Sequence, residues 1–306
     1  KLGTKTLSNV TKAKHVGIPL STMNNYSGHV KEAIVNGKRK LFSLFGLGHK
    51  TGGLSPLVAT KLYNSYSIPT MLYGDQLINY KPSDVEMLEV AQRQIGRRLQ
   101  SLPVHSSNPS ATMPLGMNSM SLRIDYDMLL MLFGLLTLPI SNIYKQFTIT
   151  RLIPIIFFKE TTWDSPIRQM WDRVRKYNLT ELLTNMIVNG IYLTKGSWKR
   201  FIKLEVNDKQ RAIYRTTCNT YRRHDVCLNI CDVKDGATGP LRPCVWWTLA
   251  KMKPELLAQC KTMMRLATDS HDFRVKNDGI NSTCFLCDMF EIETLDHFFI
   301  FVYEFF

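Results

Sequence analysis

The sequence predicts a mostly α protein with a small β element at each end. Three observations carry this. Apolar residues recur at three- and four-residue spacing through most of the 306 residues, helix-opening signals precede those runs, and breaker-rich, strand-like stretches stand only near the two ends. With 44% hydrophobic residues the chain is no disordered polymer and has room for two or three compact units.

Residues 5–27, KTLSNVTKAKHVGIPLSTMNNYS, predict short strands and turns broken at Gly17, Pro19 and Asn24-Asn25. From His29 the period becomes helical. Val30, Ile34, Gly37, Leu41 and Phe45 form one stripe, with Lys31 and Lys38 seven apart on a neighbouring one and Arg39 and Lys40 following. The glycine-rich loop GLGHKTGG (46–53) stops this helix. Ser55-Pro56 opens the next, with serine as N-cap and proline in the first position. Ser83-Asp84-Val85-Glu86 has capping-box spacing and starts a third, whose stripe is Val85, Leu88, Ala91, Ile95 and Leu99. Arg93 and Arg97 lie off that stripe with Arg98 beside them, and Glu89 stands four residues before Arg93 as a candidate ion-pair partner. Pro103 and SSNPS (106–110) close the unit. Helices are predicted over 119–138, 166–178, 180–189 and 197–225, then a linker, DVKDGATGPLRP (232–243), then a helix over 246–268. The most apolar run, MLLMLFGLLTLPI (128–140), has 13 residues against roughly 20 needed to span a bilayer, and reads as a core helix ended by Pro139.

Charge is unevenly spread. Residues 1–100 carry 14 Lys/Arg against 5 Asp/Glu, a net of +9; residues 101–200 carry 11 against 6, a net of +5; residues 201–306 carry 14 of each. A basic front two-thirds points to a polyanion partner, RNA or DNA, met by the basic helix faces at Lys31, Lys38, Arg39, Lys40, Arg93, Arg97 and Arg98. The chain has no initiating methionine and no signal-peptide or transit pattern, and its seven cysteines follow no disulfide framework. A segment of a longer protein, kept in a reducing compartment, is the expectation.

Candidate catalytic motifs weigh little. Two-metal phosphoryl transfer needs two carboxylates converging on ions roughly 4 Å apart. In LYGDQ (72–76), Asp75 is followed by Gln76, and no Asp-Asp dipeptide exists in the chain. Asp75 reads as a turn or helix-end residue. GLGHKTGG fails as a phosphate loop because His49 interrupts the Gly-Lys-Thr order and a helix precedes it. His224, Cys227 and Cys231 have metal-like spacing but would share one helical face, which favours a partly buried helix. At the C-terminus, Cys284, Cys287 and His297 supply three ligands of a structural zinc site. Val302 stands where a fourth would be expected. This tail, residues 284–306, holds five acidic residues and no Lys or Arg, so Lys251, Lys253, Lys261 and Arg265 are the expected phosphate contacts nearby.

The order KHVGIPL (14–20), KRKLFSLFGLG (38–48), a Gly-Gly loop, LYNSYSIPTMLYGDQ (62–76) and LEVAQRQIGRRLQSLP (88–103), closed by CFLC…ETLDHFFIFVYEF, resembles non-LTR (LINE-type) retrotransposon reverse transcriptases downstream of the polymerase palm. The resemblance is strongest over 14–103 and 284–305. It implies primer-grip-like strands at 1–27, a thumb-like helical unit at 28–103 and a helical connector at 104–245. A helix and a CCH(C)-type zinc knuckle follow at 246–306. It also implies template–primer, element RNA or target DNA as partners, no membrane, and an intracellular location in nucleus and cytoplasm. The Tyr-x-Asp-Asp centre and its Mg²⁺ would belong to a palm and fingers upstream of Lys1, so no catalytic residue is expected here, and Val302 marks a lost zinc ligand. Two other classes remain: a degenerate element remnant without function, and a helical protein-interaction module.

Overall fold

A computed structural model describes residues 12–21, 26–46, 53–158, 165–220, 231, 233, 239 and 241–268. Those residues are mostly helical, and the one sheet among them is a two-stranded antiparallel hairpin, β1 (Lys12–His15) with β2 (Ile18–Ser21). The turn between the strands is Val16-Gly17, both at positive φ. The loop GLGHKTGG lies largely outside the described residues, as do His224, Cys227 and the tail from 269 onward.

Helix α1 (Ser27–Phe42) buries Val30, Ala33, Gly37 and Leu41, the predicted stripe with Ala33 in place of Ile34. Helix α2 (Pro56–Leu62) starts at the predicted Ser55-Pro56. It runs through a π-helical turn (Tyr63–Ser67) into the short α3 (Ile68–Met71). Pro69 explains the π turn: it has no N–H to give the carbonyl four residues back, and the Ile68 N–H bonds Tyr63 instead. Gly37 lets α1 sit tightly on this rod, since an added Cβ would stand 2.6 Å from Met71 Cγ.

Helix α4 (Pro82–Gln100) begins two residues earlier than the capping-box pattern suggests, with Lys81 in place of Ser83 as N-cap. Pro82 fits the first helical position because its missing N–H is not needed there. The Asp84 carboxylate then accepts from the Lys81 backbone N–H at 3.2 Å and from the Ser27 hydroxyl at 2.6 Å. Three rungs hold α1 and α4 side by side and parallel: Ser27–Asp84, Lys38–Gln94, and Arg98 against the Phe42 ring.

Beyond α5 (Asn108–Thr112) the apolar run forms α6 (Met120–Leu136), with Leu129, Leu132, Phe133 and Leu136 buried as expected for a core helix. Helix α7 (Ile143–Phe157) is a departure, because the sequence shows no clean stripe there. Apolar residues surround it, and an interior Pro154 obscures the pattern. Helices α8 (Pro166–Lys176), α9 (Thr180–Asn189) and α10 (Lys195–Cys218) follow close to their predicted ranges. The predicted helix over 246–268 is two helices, α11 (Val245–Met252) and α12 (Leu257–Ala267), because Pro254 cannot continue a helix and forces Lys253 out of helical geometry.

The described parts of all three expected helical units share one apolar core, running from Val30 to Met264. Trp171, Trp198 and Trp247 anchor it, and Trp198 stacks on Phe133 at 4.7 Å. No helix among the described residues is long and apolar enough to cross a membrane.

Candidate nucleic-acid interface

The seven predicted cations stand on α1 and α4 and have different partners. Lys31 and Arg39 are exposed and form no ion pair among the described residues. Lys38 donates to Gln94 at 2.7 Å on the α4 side of α1, while Lys40 donates to Thr70 at 2.9 Å on the α3 side. Arg93 pairs with Glu86, not with Glu89. Glu89 is drawn instead to the Ser121 N–H at 3.0 Å, at the start of α6, where free N–H groups favour a carboxylate. Arg97 spends its guanidinium on the Ser106 carbonyl and the Asn108 side chain. Arg98 covers the Phe42 ring at 4.2 Å. Of the later cations, Arg265 donates to the Ser101 carbonyl at the end of α4, whereas Lys251 and Lys253 are exposed. Burial holds Lys261 below its ordinary value.

Elsewhere the fold assembles a cleft that the sequence pattern does not announce. Its seat is LYGDQ. The Tyr73 hydroxyl donates to the Val16 carbonyl at 3.0 Å, and Gly74, at φ +78, admits Ile18 within 2.9 Å of where a Cβ would stand. The hairpin is thus docked on this turn. Asp75 follows in a 3-10 turn (Asp75–Leu77), 1% exposed. Against this turn, α6 contributes Arg123, Tyr126 and Asp127, and the first turns of α10 contribute Lys199 and Lys203, enclosing about 650 Å³.

The electrostatics of the cleft are mixed. Lys199 and Lys203 are exposed, one turn apart on α10. Arg123 donates to Asn64 at 3.1 Å, and its charge also acts on Asp127, one turn further along α6. None of the three forms an ion pair among the described residues. The contrast is α8, where Arg173 and Lys176 are both spent on the buried Asp125. Two carboxyl groups 52 positions apart in sequence meet in the cleft wall, a pair invisible to a search for adjacent aspartates. Burial pushes Asp75 up to about 8, and the neighbouring Asp127 adds to the rise. Burial also raises Asp127, opposed by Arg123 and by a hydrogen bond from the protonated Asp75. The cleft is thus lined by a carboxyl pair whose burial disfavours double ionisation, together with three cations.

The i, i+4 lysines of α10 were the one legible signal for this cleft, since they stand at helical spacing in the predicted 197–225 segment. The predicted zinc ligands Cys284, Cys287 and His297, with Val302, lie outside the described residues. Among the described residues no group of three or more His, Cys, Asp or Glu is arranged to hold a metal ion. Comparison of the chain with protein-family models, with curated proteins and with solved structures finds no match to any of them.

Proposed function

We propose that this chain is a nucleic-acid-binding, non-catalytic C-terminal part of a non-LTR retrotransposon reverse transcriptase, its partner template–primer, element RNA or target DNA. The observation that supports binding most is the cleft where Arg123, Lys199 and Lys203 converge beside the docked hairpin, none of them in an ion pair among the described residues. Cations gathered on one concave wall attract a phosphate backbone and release its counterions. The family part of the proposal rests on the ordered motifs from KHVGIPL to the terminal CFLC. In it, polymerisation and its Mg²⁺ belong to an upstream palm and fingers, and the location is intracellular, nuclear and cytoplasmic. The chain should bind duplex or structured RNA with affinity that falls steeply as salt rises, and should extend no primer with Mg²⁺ or Mn²⁺. Salt-insensitive binding or template-dependent incorporation would contradict the proposal.

Zinc belongs to the same proposal on sequence grounds: Cys284, Cys287 and His297 would hold it, with Val302 in the fourth ligand's place. Metal analysis after mild chelation should find substoichiometric zinc in the natural chain, and about one ion once Val302→Cys closes the shell.

One observation favours the protein-interaction reading. On α7 and just past it, Ile143, Phe147, Phe157 and Phe158 are all more than half exposed. Such a face suits an apolar partner surface. Binding that survives high salt and is lost with Phe147→Ser/Phe157→Ser would support that reading over the first.

A further inference from the structure

Within the cleft, one acceptor has no described donor beyond its neighbouring carboxyl group. Asp127 is half-buried in the wall, and no hydrogen bond from a described donor other than Asp75 reaches it. Asp75, 1% exposed, stands behind it. The same cleft is lined by two aromatic residues, Tyr73 and Tyr126, and by the three cations, none of them in an ion pair among the described residues. Acceptor, aromatic surface and cations in one concavity match the three parts of a nucleotide: a donor-bearing base edge, a π face and a phosphate. Its volume lies within the usual range of ligand pockets, roughly 300–1,000 Å³.

The acceptor selects among bases. Guanine alone places two donors, N1–H and the N2 amino group, side by side on its Watson–Crick edge. Adenine and cytosine set an amino donor beside a ring-nitrogen acceptor, and uracil flanks its N3–H with two carbonyls, so each turns a lone pair toward a carboxylate. We infer that the cleft takes one unstacked guanine nucleotide of a bound strand, Asp127 accepting from the base edge while Arg123, Lys199 and Lys203 meet the phosphate. This rests on the nucleic-acid-binding reading and adds base selectivity to it. Recognition of a splayed base by stacking and edge hydrogen bonds is how single-stranded RNA segments are commonly read.

The test titrates the full 306-residue chain with GMP, IMP, AMP and UMP by calorimetry, and in parallel with a structured RNA. GMP should bind roughly tenfold or more tighter than UMP, because a bidentate edge contact discriminates on that scale. IMP, which lacks only the amino group, should fall between. Asp127→Asn should bring the four within about threefold of one another, and Lys199→Ala/Lys203→Ala should weaken all four alike. Because GMP against IMP is measured on the unaltered chain, that arm does not depend on any variant folding. Equal affinity for the four nucleotides overturns the inference, as does a guanine preference that survives Asp127→Asn. If salt-dependent RNA binding persists while the preference is absent, the inference alone fails. If both are absent, the nucleic-acid-binding reading fails with it.

Discussion

Gln100, fully buried at the end of α4, donates to the Ser110 and Ala111 carbonyls at 3.1 and 3.0 Å and accepts from the Trp247 indole N–H at 3.0 Å. Gln100→Leu keeps its volume but leaves those groups buried and unpaired, at about 1–3 kcal/mol each before relaxation. Chemical denaturation should therefore show a loss of several kcal/mol, and a change below about 1 kcal/mol would mean that the network is not formed. Asp75 makes a pH prediction. Its ordinary value is 3.8 and its folded value about 8, so between these the folded chain holds a proton that the unfolded chain has released. Its contribution to stability is present below about pH 4 and is lost as pH rises toward 8, with a slope of at most ~1.4 kcal/mol per unit. Urea midpoints from pH 5 to 8 should fall for the natural chain and fall less for Asp75→Asn; identical profiles would refute the buried pair. At this scale the sequence disclosed which side chains are basic or acidic but not their partners. Arg93, Arg97 and Arg98 look alike on paper, yet one meets Glu86, one meets the Ser106 carbonyl and the Asn108 side chain, and one covers Phe42.

Among the elements, α4 and α5 approach so closely that a Cβ on Gly96 would lie 2.0 Å from the Ala111 carbonyl oxygen. Backbone stands on the other side, so Gly96→Ala cannot be absorbed by a rotamer change. It should cost more than the roughly 1 kcal/mol that alanine normally gains over glycine inside a helix, lowering the melting temperature. A rise in melting temperature would show that α5 can withdraw. Helix existence was largely legible here because caps and stripes are local: Ser55-Pro56 and Ser165-Pro166 both open helices. Where a proline set the boundary, as at Pro82 and Pro254, the pattern alone misplaced or merged elements. Helix α7 escaped because its exposed apolar residues erase the contrast that periodicity needs.

At the scale of the whole molecule, the hairpin, the LYGDQ turn, α6 and α10 come from four separate stretches, and only the shared core brings them to one cleft. No local pattern encodes that meeting, which is why the sequence pointed to α1 and α4 as the basic surface and passed over α10. The two surfaces give different expectations for the same experiment. Because Arg97 is committed to Ser106 and Asn108, Arg97→Ala should leave the salt slope of RNA binding unchanged while lowering stability. Each cleft cation that meets a phosphate contributes about 0.7–0.9 to the slope of log K against log salt. The measurement that tests the central claim most directly is therefore the anisotropy of a labelled RNA hairpin, titrated from low to moderate salt, with the natural chain beside Arg123→Ala/Lys199→Ala/Lys203→Ala. Steep salt dependence for the natural chain, with a slope shallower by about two to three in the triple variant, is the predicted result. Equal slopes in the two proteins, or binding that ignores salt, would contradict it.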